Sequence, residues 1–477
     1  MSAAIRSPAV EITAAPRIAI VGGGLAGLAA AVGLAGRGLS IDVYESRRQL
    51  GGRATSFRDP ESGALVDHCQ HVSLGCCTNL ADFCRRTGLS ELVKRYRTLH
   101  FFGPDGRRRD VSASRWLPAP LHLLSSLLRL DYLSLGERLK IVRGMRRLAR
   151  VTTSSDSQTI GQWLRENGQS PGSIELFWTP VIVSALSETV DRASFSAARK
   201  VFVDGFMAGR AAYELHIPQV PLGDFYGAQL EKWFKENSVT VRSGCPANQV
   251  VGSALGIREI ELNGGRRAAC DAVILAVPWR RIGELLDEPL RAVLPELRGI
   301  NQLESAPITA VHLWLDRPIT DLPHAVLPGR TSQWLFNRGT LAGSESTTHH
   351  YQVVISASRD LANQLREQIV TEVLKELALI WPDIHHAKLV QSKIITDQHA
   401  VFSPLPGVDR VRPPQQTSIP NLFLAGDWTA TGWPATMEGA VRSGYLAAEG
   451  VLKLFGQSKR LLVSDLPKSW LARRLVG

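Results

Sequence analysis

Cysteine is scarce in this chain, and its spacing does not suit metal binding. The 477 residues contain six cysteines, and no two of them form a C-x-x-C pair. A chain of this length does not need disulfides for stability, so we expect reduced thiols. Histidine and cysteine do crowd together early in the chain, at His68, Cys69, His71, Cys76, Cys77 and Cys84. Their spacing matches no zinc pattern, and we therefore predict no metal site.

Long apolar runs are also missing. No stretch of about 18 or more apolar residues is free of charges and proline, which argues against a membrane-spanning helix. Residues 1–16 contain Arg6 and Glu11 and lack an apolar segment, so we expect a disordered leader and not a signal peptide. With 44% hydrophobic and 21% charged residues, the composition is that of a globular protein large enough for two or three domains.

Acidic residues are in the minority, and part of the basic excess is localised. The chain has 55 Lys and Arg against 44 Asp and Glu, a formal charge of +11, which indicates an anionic partner. Residues 116–135 are leucine-rich, and residues 137–151 carry six cations against one acid, Glu137. This combination is typical of helices that lie on an anionic membrane, and KSWLARRLVG at 468–477 is a second candidate anchor. The alternative is a helical bundle with a solvated basic face. We predict an anionic membrane surface as a partner and no nucleic acid.

A glycine-rich turn lies between two apolar segments near the start of the chain. Residues 17–46 read RIAIVGGGLAGLAAAVGLAGRGLSIDVYES, which predicts a strand at 18–21, a helix to about residue 35 and a second strand ending at Glu45. In this G-x-G-x-x-G pattern, Gly22 allows the tight turn and Gly24 lets a pyrophosphate approach the backbone. Gly27 lets the helix and strand pack closely.

The residues around the turn complete a dinucleotide site. The helix N-terminus at Leu25 and Ala26 supplies unpaired N–H groups and a positive dipole to phosphates, and Glu45 is placed to accept from ribose hydroxyls. The order strand, turn, helix, strand, acid predicts an α/β fold with a Rossmann-like domain. The alternative is a glycine-rich packing motif without a ligand. No second such motif follows a strand, so a dedicated nicotinamide domain is not predicted.

Two more motifs, at opposite ends of the chain, narrow the choice of dinucleotide. Gly51-Gly52-Arg53 follows the acidic strand end, and Ala425-Gly426-Asp427 precedes PATMEGA at 434–440. With these motifs the chain resembles the FAD-binding flavin amine oxidase and phytoene desaturase superfamily, which has a Rossmann-like FAD-binding domain of the GR2 type. The resemblance implies FAD as the cofactor, with Gly52 and Arg53 beside it and Asp427 bonded to its ribityl or pyrophosphate region.

The resemblance implies further contacts with FAD. Backbone amides near Thr436 and Met437 face the pyrimidine end of the isoalloxazine, next to Gly426, and Val250 offers a backbone contact to adenine. No cysteine lies in the C-terminal motif, so non-covalent binding is expected. A different role for Asp427, as a helix N-cap, stays open.

The central part of the chain predicts a second domain. Alternating residues at 308–316, 332–337, 351–359 and 393–402 indicate antiparallel strands, interrupted by a helix at 361–380. Residues 270–278 read as a buried strand of the first domain. We expect an interleaved arrangement with these boundaries: FAD-binding domain 1–105, 225–295 and 395–457; substrate or lipid-binding domain 106–224 and 296–394; basic C-terminal tail 458–477.

Four segments point to a particular group within the superfamily. The segments VDHCQHVSLGC (66–76), FWTPVIVSAL (177–186), FVDGFMAGRAAYELHIPQVPLGDFY (202–226) and GDWTATGWPATMEGAVRSGYLAA (426–448) resemble the hydroxysqualene dehydroxylases of squalene and hopanoid biosynthesis. The chain departs from that group at Cys69, where glycine is expected. The resemblance implies reductive removal of an allylic hydroxyl by hydride transfer from reduced flavin N5.

That reaction needs a proton donor and a dry apolar tunnel. We expect His71 to be the acid, oriented with the help of Gln70, and hold Asp67 and Glu188 in reserve. A purely structural histidine is the alternative. Candidate wall residues are Phe177, Trp178, Val181, Ile182, Val183, Phe202, Phe206 and Leu215.

Other functions remain open at this point. An oxidative polyene desaturase would run hydride from carbon to flavin on the same scaffold, an amine oxidase fits the leucine-rich region less well, and a prenyl-lipid carrier would not use flavin. We expect a long isoprenoid substrate and NAD(P)H or a redox protein as the electron donor. The expected location is cytoplasmic, on the inner face of the cell membrane.

Overall fold

The computed structural model describes residues 15–60, 63–151, 157–339 and 348–475. The predicted leader lies almost wholly outside them. The described strands are β1 (Arg17–Val21), β2 (Ser40–Glu45), β3 (Ser56–Arg58), β4 (Leu65–Asp67), β5 (Ser73–Leu74), β6 (Val93–Tyr96), β7 (Thr98–Phe102), β8 (Arg108–Ser112), β9 (Leu215–Pro218), β10 (Val239–Ser243), β11 (Ala247–Ser253), β12 (Gly256–Leu262), β13 (Arg266–Ala269), β14 (Ala272–Leu275), β15 (Ser305–Leu315), β16 (His324–Val326), β17 (Trp334–Asn337), β18 (His349–Ser356), β19 (Leu389–Phe402) and β20 (Leu422–Leu424).

The described α-helices are α1 (Leu25–Leu34), α2 (Thr78–Arg86), α3 (Leu124–Leu128), α4 (Leu135–Arg150), α5 (Ile160–Glu166), α6 (Pro171–Ser173), α7 (Thr179–Leu186), α8 (Phe195–Phe202), α9 (Gln229–Glu236), α10 (Trp279–Leu285), α11 (Glu288–Ala292), α12 (Arg366–Ala378), α13 (Met437–Leu454) and α14 (Ala472–Leu475). Three π-helical turns adjoin α7, α8 and α9, at Ile174–Trp178, Val203–Met207 and Asp224–Ala228.

A five-stranded parallel sheet forms the first domain, in the order β10-β2-β1-β14-β20. Its strands are short and apolar because both faces are covered. Helices α1 and α13 pack on one face, while the sheet β11-β12-β13 and helices α10 and α11 pack on the other. The order of strand and helix confirms the predicted α/β, Rossmann-like fold.

A seven-stranded mixed sheet, β19-β15-β18-β17-β16-β7-β8, forms the frame of the second region. All four predicted antiparallel strands lie in it. One face packs on α12 through alternating residues such as Val311 and Leu313 of β15 and Val353 of β18. The helix predicted at 361–380 is shorter, because a 3-10 turn at Ser358–Leu361 precedes it and α12 begins at Arg366. The other face of this sheet turns towards the first domain.

Two of the predicted domain boundaries fall among the strands of the seven-stranded sheet. Strand β7, which lies within the predicted FAD-binding segment 1–105, pairs with β8 and β16 of the seven-stranded sheet. Strand β19 pairs with β15 along residues 389–402, so the boundary at 395 cuts through one continuous strand. Sheet membership depends on distant partners, which local alternation does not reveal. The division into two domains itself stays a prediction.

The C-terminal segment is packed against the rest of the chain. Leu461 is buried beside α1, the Val463 amide donates to Asn79 Oδ1 at 2.8 Å, and Ala472 is buried among the helices around α4. The predicted basic tail is therefore a strap across both regions over its described residues. No helix in the described part of the chain is both long and apolar enough to cross a membrane.

Candidate active site

The glycine-rich turn connects β1 to α1, and of the three glycines of the motif only Gly24 has space beside its Cα for a side chain or a ligand. Gly22 has φ +113°, and a Cβ there would lie 2.5 Å from the Ala276 carbonyl oxygen. A Cβ on Gly27 would overlap the Gly22 carbonyl oxygen. A Cβ on Gly24, in contrast, would have Gly52 Cα at 3.9 Å as its nearest neighbour. Gly22 and Gly27 thus serve close packing, and the turn is open at Gly24, where a pyrophosphate needs access.

The first turn of α1 is suited to an anion. Its N-cap is Gly24, no described side chain caps the helix, and its first turn contains no acid. The N–H groups at Leu25, Ala26 and Gly27 have no acceptor within the helix, as in the first turn of any helix. They and the helix dipole therefore remain available to phosphate oxygens.

Glu45, at the end of β2, is held beside this turn. Its Oε2 accepts from the Gly23 amide at 2.7 Å, and its Oε1 accepts from the Arg47 amide at 2.8 Å and from Ser46 Oγ at 3.1 Å. A carboxylate has about four lone-pair positions, so capacity remains for a hydroxyl donor. Its place at the strand end is the one expected for a ribose-binding acid.

Arg53 joins the two ends of the chain. Its guanidinium donates to Asp427 Oδ1 at 2.6 Å and to the Ala400 carbonyl at 2.7 Å. Burial alone would lower the pKa of Arg53, but the charge and hydrogen bond of Asp427 raise it above its ordinary value. Gly51 donates its amide to Gly23 O at 2.9 Å, which brings the Gly51–Arg53 segment against the glycine-rich turn. The two predicted halves of the cofactor site therefore meet.

The C-terminal motif leads into α13. Thr436 is the N-cap, and its Oγ1 accepts from the Gly439 amide at 3.1 Å. This excludes Asp427 as the cap of this helix. Helices α1 and α13 cross in contact, because Gly444 has no side chain to separate them from Ala26. Their crossing holds the loop from Gly426 to Met437 next to the turn of α1.

Val250 stays a prediction as an adenine contact. Its side chain is buried, and it pairs with Ile260 in β12. Strand β11 is at the edge of its three-stranded sheet, so one row of its backbone groups has no strand partner.

His71 lies on a loop just before β5. Its Nδ1 is 3.0 Å from the Cys69 carbonyl oxygen. Because a carbonyl can only accept, Nδ1 carries the proton, and in the neutral ring Nε2 holds a lone pair. Burial lowers the pKa of His71 below its ordinary value. The ring is therefore neutral near pH 7, so the predicted acid role requires a protonated minority form.

Gln70 is engaged within the protein. Its Oε1 accepts from Arg338, and its Nε2 donates to the His71 carbonyl at 3.1 Å. Sequence reasoning missed Arg338; the one local signal was a cation directly after the predicted strand at 332–337. Cys69 replaces an expected glycine without strain, because it is not among the described residues with positive φ. Burial raises the pKa of its thiol to about 12.

The two reserve acids are paired carboxylates. Asp67 Oδ2 accepts from Arg338 at 2.8 Å, and both oxygens of Glu188 accept from Arg359 at 2.8 Å. Burial alone would raise the pKa of Glu188, but hydrogen bonds from Ser403 and Arg359 hold it below its ordinary value. Glu188 is therefore not suited to deliver a proton.

Most of the predicted wall residues are divided between the helical core and the cluster of Leu215. Of the predicted wall residues, Trp178, Ile182, Val183, Phe202 and Leu215 are buried, whereas Phe177, Val181 and Phe206 are only half-buried. Half-buried apolar side chains that sequence reasoning missed lie around the core cluster of Leu215, at Val72, Leu74, Phe101, Trp334 and Val354. Val72 and Leu74 lie one and three positions after His71, so the loop of His71 leads into this apolar cluster. No group of three or more potential metal ligands occurs among the described residues.

Comparisons with known proteins agree with this geometry. Residues 25–452 match the family model described as flavin containing amine oxidoreductase. The chain is 28% identical over 448 residues to a hydroxysqualene dehydroxylase of Sinorhizobium fredii, covering 90% of this chain and 97% of the relative. It is 26% identical over 482 residues to a probable zeta-carotene desaturase of Synechococcus elongatus, covering 92% and 98%.

A solved structure shows the same fold. An oxidoreductase from Methanosarcina mazei superposes with a TM-score of 0.68 at 17% identity, covering 92% of this chain and all of that one. The open turn at Gly24, the uncapped first turn of α1 and the Glu45 carboxylate fit FAD, which supplies hydride chemistry when bound. The chain therefore belongs to the flavin containing amine oxidoreductase family and is an FAD-dependent oxidoreductase.

Proposed function

We propose that this protein removes the allylic hydroxyl of hydroxysqualene to give squalene. In this reaction a C–O bond is replaced by a C–H bond. The carbon receives a hydride from reduced FAD, and the hydroxyl takes up one proton and leaves as water. The allylic cation character that develops at the carbon must be kept from water until hydride arrives.

The observation that carries the proposal is that the loop of His71 leads into a cluster of apolar side chains. Because Nδ1 bonds to the Cys69 carbonyl oxygen, Nε2 is the ring nitrogen that is free to exchange a proton with a substrate. Val72 and Leu74, which follow in the chain, are half-buried apolar side chains of the Leu215 cluster. A hydroxylated isoprenoid has one polar hydroxyl on a long apolar chain, so its binding site needs one polar side chain and otherwise apolar ones. Similarity to a hydroxysqualene dehydroxylase over 90% of the chain supports the same choice.

A second candidate is polyene desaturation. Here the substrate loses a hydride to oxidised FAD and a proton to a base. Neutral His71, with its lone pair on Nε2, suits the base better than the acid. The similarity to a zeta-carotene desaturase over 92% of the chain is close to that with the dehydroxylase.

Anaerobic single-turnover experiments distinguish the two. Dithionite-reduced holoenzyme is mixed with hydroxysqualene, and oxidised holoenzyme is mixed with phytoene or zeta-carotene, with products identified by mass spectrometry. Dehydroxylation predicts squalene and reoxidised flavin only in the first mixture. Flavin reduction with a new double bond in the second mixture, and no squalene in the first, would replace the proposal by the desaturase.

We also propose that an anionic membrane surface is the partner that presents the lipid. Helix α4 buries Ile141, Gly144 and Leu148 among other helices, and all of its cations except Arg138 are exposed. We define the basic apolar face by its exposed residues: Trp116, Leu121, Leu128, Leu135, Leu139 and Trp470, with Lys140, Arg143, Arg146, Arg147, Arg150, Arg473 and Arg474. None of these cations has a salt bridge to a described carboxylate. NAD(P)H or a redox protein as donor, and the inner face of the cell membrane as location, complete the proposal.

A further inference from the structure

Arg338 connects the seven-stranded sheet to the loop that carries His71. It follows β17 by one residue, and its side chain is buried against segment 67–71 of the first domain. We propose that Arg338 is a positioning residue that fixes the ring orientation and tautomer of His71. The inference deepens the proposed function, because it concerns the side chain expected to exchange a proton with the lipid.

The guanidinium of Arg338 is itself held in place. Its Nη2 donates to Asp67 Oδ2 at 2.8 Å. The other oxygen of Asp67 accepts from Ser56 Oγ at 2.6 Å and from the Leu222 amide at 2.7 Å. Asp67 is thus fixed by Ser56 and Leu222 through one oxygen, and its other oxygen orients a cation at the end of β17.

From Arg338 the contacts run to His71 through Gln70. Nη1 of Arg338 donates to Gln70 Oε1, so the amide nitrogen of Gln70 must point the opposite way. That nitrogen donates to the His71 carbonyl at 3.1 Å. This bond holds the His71 backbone, and the His71 ring then lies with Nδ1 3.0 Å from the Cys69 carbonyl oxygen. The Nδ1–H tautomer follows, and Nε2 keeps its lone pair.

Lysine is not equivalent at this position. The planar guanidinium donates in two fixed directions at once, whereas an ammonium group is a point charge on a flexible stem. Arg338→Lys should keep the ion pair with Asp67, and with it the fold, but lose the contact with Gln70. A matched control exists in Arg359, which donates through both Nη atoms to the buried Glu188, outside segment 67–71.

The test uses FAD-loaded protein labelled with ¹⁵N-histidine, with His71→Asn to assign the ring signals by NMR. In the wild type we expect the Nδ1–H tautomer for His71. In Arg338→Lys we expect a mixture of tautomers and a kcat about 10- to 100-fold lower at nearly unchanged KM, since small misplacement of a reacting group has effects of this size. FAD content should stay at the wild-type level. Arg359→Lys should leave the His71 signals unchanged.

A second variant guards against loss of folding. Asp67→Asn with Arg338→Met removes both charges, so no unpaired carboxylate stays buried, and the same change in tautomer is expected. Wild-type His71 signals in either Arg338 variant would overturn the inference. So would equal changes in the Arg359→Lys control. The NMR result does not depend on the substrate, so the two proposals can fail separately. If the wild type does not dehydroxylate hydroxysqualene but the Arg338 variants show an altered His71 tautomer, the proposed function is refuted and the positioning role of Arg338 is retained.

Discussion

At the scale of single residues, the protonation of His71 decides the direction of the pH dependence. Burial lowers its pKa, so the titration lies below the ordinary value of about 6.5. An acid must be protonated, so kcat/KM for dehydroxylation should fall as pH rises through this lowered pKa. A base must be neutral, so desaturation should instead become faster over the same range. Anaerobic rates against pH check this, and His71→Ala should retain FAD, lose turnover and lose this limb of the profile. An unchanged profile in His71→Ala would remove His71 from the chemistry.

Two glycines of the same turn should respond differently to one added methyl group. Gly24→Ala places its Cβ in open space, with Gly52 Cα at 3.9 Å, so the apoprotein should unfold at the wild-type temperature. FAD should bind about tenfold more weakly, which is about 1.4 kcal/mol, because the methyl group occupies the approach to the pyrophosphate. Flavin fluorescence titration of apoprotein measures the affinity.

Gly27→Ala is the contrasting variant for that turn. Its Cβ would overlap the Gly22 carbonyl, so the fold should be destabilised by about 1–3 kcal/mol or more. Equal loss of stability in both variants would show that the opening at Gly24 is not a ligand site.

At the scale of elements, the crossing of α1 and α13 brings the two halves of the cofactor site together. A Cβ on Gly444 would overlap the Ala26 carbonyl and lie 2.9 Å from Ala29 Cβ. Gly444→Ala should therefore cost about 1–3 kcal/mol of unfolding free energy and weaken FAD binding by displacing the first turn of α1. Urea unfolding of the holoenzyme measures the first effect. Gly227→Ala is the control, because a Cβ there would meet no described atom within 4 Å. If Gly444→Ala left the free energy of unfolding unchanged, the close contact between α1 and α13 would not be needed for stability.

At the scale of the whole molecule, the basic apolar face is built from distant parts of the chain. Ser469 Oγ donates to the Ala119 carbonyl at 2.5 Å, which joins the C-terminal strap to the segment of Trp116. The exposed fraction is 90% for Trp116 and 59% for Trp470. Both are thus available for the headgroup region of a bilayer, where tryptophan is favoured.

Vesicle binding should depend on this face. Arg143→Glu with Arg147→Glu should weaken binding to phosphatidylcholine–phosphatidylglycerol vesicles, by more than about fivefold per site, since each cation contributes about 1 kcal/mol. Trp116→Ala and Trp470→Ala should weaken it further, as measured by flotation. Leu255→Ala is the control, because Leu255 is 91% exposed on the β11–β12 turn. No flotation of intact protein, or an equal loss in Leu255→Ala, would contradict a membrane role for the face.

Sequence alone determined the features that depend on contiguous residues. The glycine turn, the first turn of α1 and the acid at the end of β2 were predicted because they lie within about 30 consecutive residues. Their spacing along the chain is therefore enough to identify a phosphate-binding and ribose-binding motif. The strands at 308–316 and 351–359 were predicted for a similar reason, since alternation reports the two faces of a sheet. Only the family resemblance placed Arg53 and Asp427 beside the same cofactor. The structure joins them in an ion pair, and Thr436 takes the cap role that was the alternative for Asp427.

Only the tertiary structure decided which distant side chains meet. Arg338 lies 268 positions from Gln70, and no local pattern links them. The pairing of β7 with the seven-stranded sheet and the packing of Leu461 beside α1 depend in the same way on partners far along the chain. Hydrogen bonds and burial act through space, whereas periodicity and motif spacing act along the sequence. The cofactor turn could therefore be read from the residues, while the surroundings of His71 required the fold.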